Sequence, residues 1–214
     1  MSVKLISITN DPELKIMRAS QVCRNIFEHG RPDNRTIVNY VRTRMDVGHW
    51  GVLEHASASV LWRDISRACS HQLVRHRIAS YCQTSQRYTE PSGDAGFVTP
   101  PSIITAGKQD LFAAALKHVY SIYEELLDVV PKEDARFILP NATMTNIMIT
   151  MNFRSWRHFF KLRCGQHAQW EIRRMAAQTL DLLQAYTLAT FGDFVIHKHT
   201  DGSITRVEIP ENCE

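Results

Sequence analysis

Residues 55–62 read HASASVLW. Ala56, Ala58, Val60 and Trp62 fall on one side of an extended chain, the period of a strand with one buried face. TNIMITMN at 145–152 repeats the period, with Ile147, Ile149 and Met151 on one face. Val3–Ile8 also alternates and predicts a first strand. Helical signals lie between. Asp11-Pro12 reads as an N-cap with proline in the first turn of a helix that Gly30 could end. Asn34–Val47 predicts a second helix, with Ile37, Val38, Val41 and Met45 on one face and Gly48 as its stop. A short helix is expected over 64–74. A long one over 108–130 has Leu111, Ala115, Val119 (or His118), Ile122 and Leu126 as its apolar stripe and Pro131 as its end. Residues 154–162 predict a short helix. Residues 168–190 predict a long one, carrying Ile172, Met175, Ala176, Thr179, Leu182, Leu183 and Tyr186. Residues 93–101 read as a loop, and Asp201-Gly202 as the turn of a hairpin. Strands and helices mix without a βαβ rhythm, which predicts an α+β fold: a mixed antiparallel sheet packed with long helices, in one domain over 1–214.

With 214 residues, 44% of them apolar and 22% charged, the chain can bury a full core without a metal or disulfide. No apolar run is long enough to span a membrane, and the N-terminus lacks a signal-peptide core. Five cysteines, without a C-x-x-C pair, fit reduced thiols in a cytoplasmic protein. The net charge is only +3, yet the cations are segregated. Residues 63–87 hold five Arg, two His and a single acid, Asp64. Residues 154–174 hold five Arg, one Lys, two His and a single acid, Glu171. Segregation of this kind suggests a localised anion site; a solvated basic face is the plainer reading.

Two stretches could carry chemistry. RHRIASYCQTSQRY, residues 75–88, has no acid. If extended, it shows Arg75 and Arg77 on one side and His76 on the other. Arg suits bidentate phosphate contacts, and Ser80 and Ser85 could add neutral donors. NFRSWRHFFKLR, residues 152–163, interleaves Arg154, His158 and Arg163 with Trp156, Phe159 and Phe160. This could hold a planar heterocycle with its phosphates, stack a single nucleic-acid strand, or simply be an amphipathic helix. Cys82 and Cys164 lie beside basic residues that favour a thiolate, although a small buried cysteine is the commoner case. No metal site is expected, because no histidine spacing matches H-E-x-x-H. A P-loop, a Rossmann fingerprint and a G-x-S-x-G elbow are all missing.

RHRIASYCQTS resembles the R-H-R-x7-S signature of the flavin-dependent thymidylate synthases. GHWGVLEH (48–55), DARFILP (134–140) and NFRSWRHFFKLRCGQHAQWEI (152–172) resemble three further blocks of that family, in the family's order. The resemblance implies reductive methylation of dUMP to dTMP, with carbon from 5,10-methylenetetrahydrofolate and electrons from NADPH through FAD. It also implies a homotetramer with shared active sites, small-molecule substrates and no nucleic-acid or membrane partner. Carried over by position, His49, Gly51, Glu54, Arg75, His76, Arg77, Ile78, Asn152, Arg154 and His158 should hold FAD. Gln72, Arg75, Gln83, Ser85, Gln86, Arg87, Arg136 and Arg163 should hold dUMP. Arg163 takes the place of the arginine that sits against the uracil edge and favours its ionised form. Two positions depart from the pattern. Gly51 stands where the family usually has Ser or Thr, and Trp50 replaces a usually polar residue and is free to pack on a ring; Gln83 stands where many relatives carry Glu and some carry Gln.

Overall fold

A computed structural model describes residues 1–27, 30–89 and 96–211. Strand β1 (Ser2–Ile8) leads into helix α1 (Pro12–Val22) and helix α2 (Asn34–Asp46). A 3-10 turn, Trp50–His55, precedes β2 (Ser57–Ser66), α3 (Arg67–Leu73) and β3 (Ser80–Gln83). Then come α4 (Pro101–Thr105), α5 (Gln109–Leu127), α6 (Lys132–Ala135) and β4 (Met144–Asn152). The chain continues through α7 (Phe153–Arg163), α8 (Trp170–Gln184), α9 (Leu188–Phe191), β5 (Val195–Lys198) and β6 (Ile204–Glu208). The main sheet has the order β1-β2-β4-β3, and β5 pairs with β6 in an antiparallel hairpin. Antiparallel sheet with separate helices is the expected α+β class.

The chain divides into two compact units. One comprises Ser2–Trp62, His76–Tyr81 and Met148–Glu214. Its core is aromatic: Trp62, Phe153, Trp156, Phe159, Phe160 and Phe191 have no exposed surface. Both buried indole N–H groups in that core have a partner. Trp62 Nε1 donates to Thr179 Oγ1 at 2.8 Å, and Trp156 Nε1 donates to the Ala58 carbonyl at 3.2 Å. The other unit comprises Met1, Arg63–Arg75 and Cys82–Ile147. Within it α5 packs with α4 and α6.

Several expectations need correction. Helix α1 ends at Val22, well before Gly30. Asp11 does not cap it, because the residue is left-handed (φ 43°) and its carboxylate pairs with Arg31 at 2.8 Å. Strand β2 runs on to Ser66, so the helix expected from 64 begins at Arg67, where Ser66 Oγ accepts the Cys69 N–H at 3.0 Å. Pro101 opens α4 rather than closing the loop, and residues 93–95 of that loop lie outside the described residues. The stripe expected on α5 is out of phase. Leu116 and Tyr123 are its buried positions, while Leu111 is 69% exposed. The last long helix stops at Gln184, leaving Tyr186 exposed. Gly48 (φ 77°) does follow α2, and Gly202 (φ 82°) does turn the hairpin.

Candidate active site

Asn152 decides where α7 starts. Its Oδ1 accepts the Ser155 N–H at 2.8 Å, satisfying a donor that the helix itself leaves open. From that start, Phe153, Trp156, Arg157, Phe159 and Phe160 point into the core. Arg154 and His158, four residues apart, share another face, and Arg163 sits in the last turn. The aromatic rings are therefore core and offer no platform for stacked bases. Of the readings open for this stretch, the amphipathic helix with an aromatic core face is the one that applies.

Arg163 Nε donates to His76 Nε2 at 2.9 Å. The His76 ring meets the edge of Phe159, with centroids 4.9 Å apart, and its carbonyl accepts the Tyr81 hydroxyl at 2.8 Å. Burial, with the charges of Arg163 and His158 adding to it, lowers the His76 pKa from 6.5 to about 4. The ring is thus neutral at physiological pH. The unfolded chain binds a proton here below about 6.5 and the folded chain only below about 4, so stability falls as pH drops through that window. Burial likewise pushes the Tyr81 phenol up to about 12.

Elsewhere in the same unit, Arg154 Nη1 meets Glu54 Oε1 at 2.8 Å, with both side chains exposed by more than 40%. An exposed pair of this kind contributes less than about 1 kcal/mol, so it does little for stability and leaves both groups accessible. His49 is exposed at the start of the Trp50–His55 turn. A Cβ at Gly51 would meet nothing within 4 Å, so the Ser or Thr usual in the family would fit. Trp50 does not wait for an incoming ring. It is 7% exposed and lies 5.0 Å below the guanidinium of Arg157. Arg157 is fully buried, and Asp193 accepts from its Nη1 at 2.7 Å and its Nη2 at 2.6 Å. Arg77 and Ile78 are exposed, Ile78 by 75%, and Arg77 has no acid partner among the described residues.

The residues assigned to nucleotide lie, apart from Arg163, in the other unit. Gln83 Nε2 donates to Ser70 Oγ at 2.9 Å and Thr145 Oγ1 at 3.1 Å, which leaves its carbonyl oxygen as the remaining polar atom. Ser85 Oγ accepts the Arg87 N–H at 3.2 Å. Glu133 binds Arg87 through its carboxylate at 2.8 Å and Arg136 through its carbonyl at 3.0 Å, gathering two guanidinium groups. Gln72 reaches back to its own helix, to the Ala68 carbonyl at 3.4 Å, while Gln86 is half-buried and Arg75 exposed. Arg67 was missed in the sequence reading. It is half-buried without an acid partner among the described residues, and burial and then the Arg136 charge lower its pKa. The density of Arg in 63–87 was the available signal. Tyr81, which holds the His76 backbone, left no signal in the sequence.

Residues 4–187 match the family model described as thymidylate synthase complementing protein. The chain belongs to the flavin-dependent thymidylate synthase family. A relative of that name from Geobacter sulfurreducens is 43% identical over 201 residues, covering 90% of this chain and 86% of its own. Another from Mycobacterium sp. (strain KMS) is 41% identical over 206 residues, covering 86% and 81%. A third, from Mycobacterium marinum, is 39% identical over 202 residues, covering 86% and 80%. For this member of the flavin-dependent family, the donor set beside His76 suits a flavin dinucleotide. Exposed Arg77 offers a charge to a pyrophosphate, exposed Ile78 offers apolar surface to a ring, and neutral His76 offers a nitrogen donor.

Proposed function

We propose that the chain makes dTMP by reductive methylation of dUMP at C5. The carbon comes from 5,10-methylenetetrahydrofolate, which leaves as tetrahydrofolate, and NADPH provides the reducing equivalents. A proton leaves C5 for solvent, and the transferred carbon is reduced to a methyl group. FAD, when bound, supplies the hydride chemistry between NADPH and the transferred carbon. The observation that carries this reading is Arg163, a half-buried guanidinium in the last turn of α7 held by neutral His76 rather than by a carboxylate. Its charge is left for a ligand. Against a uracil edge it stabilises the negative charge that develops on the ring without giving up its proton.

The remaining assignments follow from charge. Arg75, Arg77 and Arg154, with His49, Gly51, Glu54, Ile78, Asn152 and His158, are the flavin set. Arg87 and Arg136, with Gln72, Gln83, Ser85 and Gln86, are the nucleotide set, with phosphate the natural partner of the two guanidiniums that Glu133 gathers. Small anionic substrates and dispersed free cysteines support a cytoplasmic setting, and a single synthase domain over 1–214 is part of the same reading. No helix among the described residues is long and apolar enough to cross a membrane.

Flavin retention tests the cofactor assignment. His76→Ala and Arg154→Ala should each purify with less bound flavin and a weaker flavin affinity, read by absorbance and fluorescence titration. Arg154→Ala should do so with little loss of stability, since its exposed pair contributes under about 1 kcal/mol. Fully yellow variants with unchanged affinity would refute it.

We further propose a homotetramer in which 83–87 of one subunit serves a neighbour's site. Exposed Leu111, Val129 and Phe137, at 69%, 75% and 84%, supply apolar surface that assembly would cover. Activity should then fall as the oligomer is diluted to monomer. Sedimentation at assay concentration checks this, and a fully active monomer contradicts it.

A further inference from the structure

The hydrogen bond between Arg163 and His76 dictates more than proximity. A guanidinium has no acceptor, so the direction is forced: Nε–H of Arg163 donates and Nε2 of His76 accepts, at 2.9 Å. The accepting nitrogen carries no proton. A neutral imidazole that accepts at Nε2 must keep its proton on Nδ1. The ring packs in a T-shaped contact with Phe159, and the Tyr81 hydroxyl holds the residue's backbone carbonyl.

An arginine can make a two-point contact in two ways. It can use Nε with one terminal nitrogen, or both terminal nitrogens end-on. His76 occupies Nε, so only the end-on pair is left. We propose that His76 is the positioning residue of Arg163, fixing the guanidinium so that its terminal nitrogens alone read the substrate edge, with the His76 proton on Nδ1. The matching edge has two adjacent acceptors, such as a ring carbonyl beside a deprotonated ring nitrogen. This inference rests on the reading of Arg163 as the uracil-edge group. It adds a second task for His76, whose Nδ1–H stays available to the flavin.

Two measurements on the flavin-loaded protein test it. The first is the nitrogen-15 spectrum of histidine-labelled protein, with His76→Gln identifying the His76 signals. The expected result is a protonated Nδ1 and a bare Nε2 near neutral pH. The second is dUMP affinity by calorimetry in a mutant cycle. His76→Leu should weaken binding about ten- to a hundredfold, the loss expected for a bond to a charged group. His76→Gln, whose amide oxygen can accept from Nε, should recover to within about threefold of the parent. In an Arg163→Ala background, His76→Leu should add less than about threefold, because the residue acts through Arg163. A proton on Nε2, or a His76→Leu loss that persists undiminished without Arg163, overturns the proposal. A bare Nε2 in a protein that does not bind dUMP supports the positioning and refutes the substrate reading. Should His76→Leu fail to fold, the spectrum and His76→Gln still decide.

Discussion

Arg163→Ala is expected to lower turnover about thirty- to a thousandfold, while Cys82→Ala combined with Cys164→Ala keeps most of it. The first figure corresponds to about 2–4 kcal/mol of barrier, the loss typical when a charged group facing a developing anion is removed from a partly dry site. Arg163→Lys should recover little. A lysine ammonium is a point charge and cannot hold one partner at Nε while presenting a planar pair to another. The cysteine arm separates this route from the unrelated one, in which a cysteine adds to C6 of the ring. Cys164 is buried at the end of α7, its backbone N–H bonded to the Phe160 carbonyl at 2.9 Å, and Cys82 is exposed on β3. Neither is needed if the ring is activated by charge at Arg163. Steady-state dTMP formation by both variants is the check. A folded double-cysteine variant that binds its ligands and does not turn over, beside an active Arg163→Ala, would sink the assignment.

Asp193→Ala should give the largest loss of stability. Arg157 has no exposed surface and Asp193 is 35% exposed, so the pair is buried on one side only. Stripping the partner from a fully buried ion costs about 3–5 kcal/mol, and partial exposure of the carboxylate brings the expectation to about 2–4 kcal/mol. The guanidinium would keep its bond to the Thr190 carbonyl and still lie over Trp50 and Phe194, 5.0 Å from each ring centroid. Those contacts moderate the loss but cannot replace a carboxylate. Because Trp50 adjoins His49 and Gly51, flavin affinity should fall along with stability. Urea unfolding of Asp193→Ala and Asp193→Asn gives the ranking. A loss below about 1 kcal/mol would mean that the pair is effectively solvated.

Strands β2 and β4 were legible because they obey a period of two with apolar residues on the buried face, as at 57–62 and 145–152, whereas the short β3 was not. Nor was the α5 stripe. Residues 111–116 read LFAAAL, apolar on every face, so a helical period exists there without a phase. The bias went to the face of Leu111, whereas packing within its unit chose Leu116 and Tyr123. The cap of α1 was misjudged because Asp11 has a competing partner twenty residues away in Arg31. At the site, the pairings could not be read. His76 and Arg163 are 87 residues apart, and no local pattern reports a bond between them. The burial of Trp50 was hidden in the same way, because it depends on Arg157, a cation that the sequence places on an exposed-looking basic helix.

The central claim is methylation at C5 with loss of the C5 proton. The measurement that tests it most directly is release of tritium to water from 5-tritiated dUMP by the purified, flavin-loaded protein. The account predicts release that requires both NADPH and 5,10-methylenetetrahydrofolate, matches dTMP formation one to one, and survives removal of Cys82 and Cys164. A folded protein that binds flavin and dUMP but releases no tritium with both co-substrates present would contradict it.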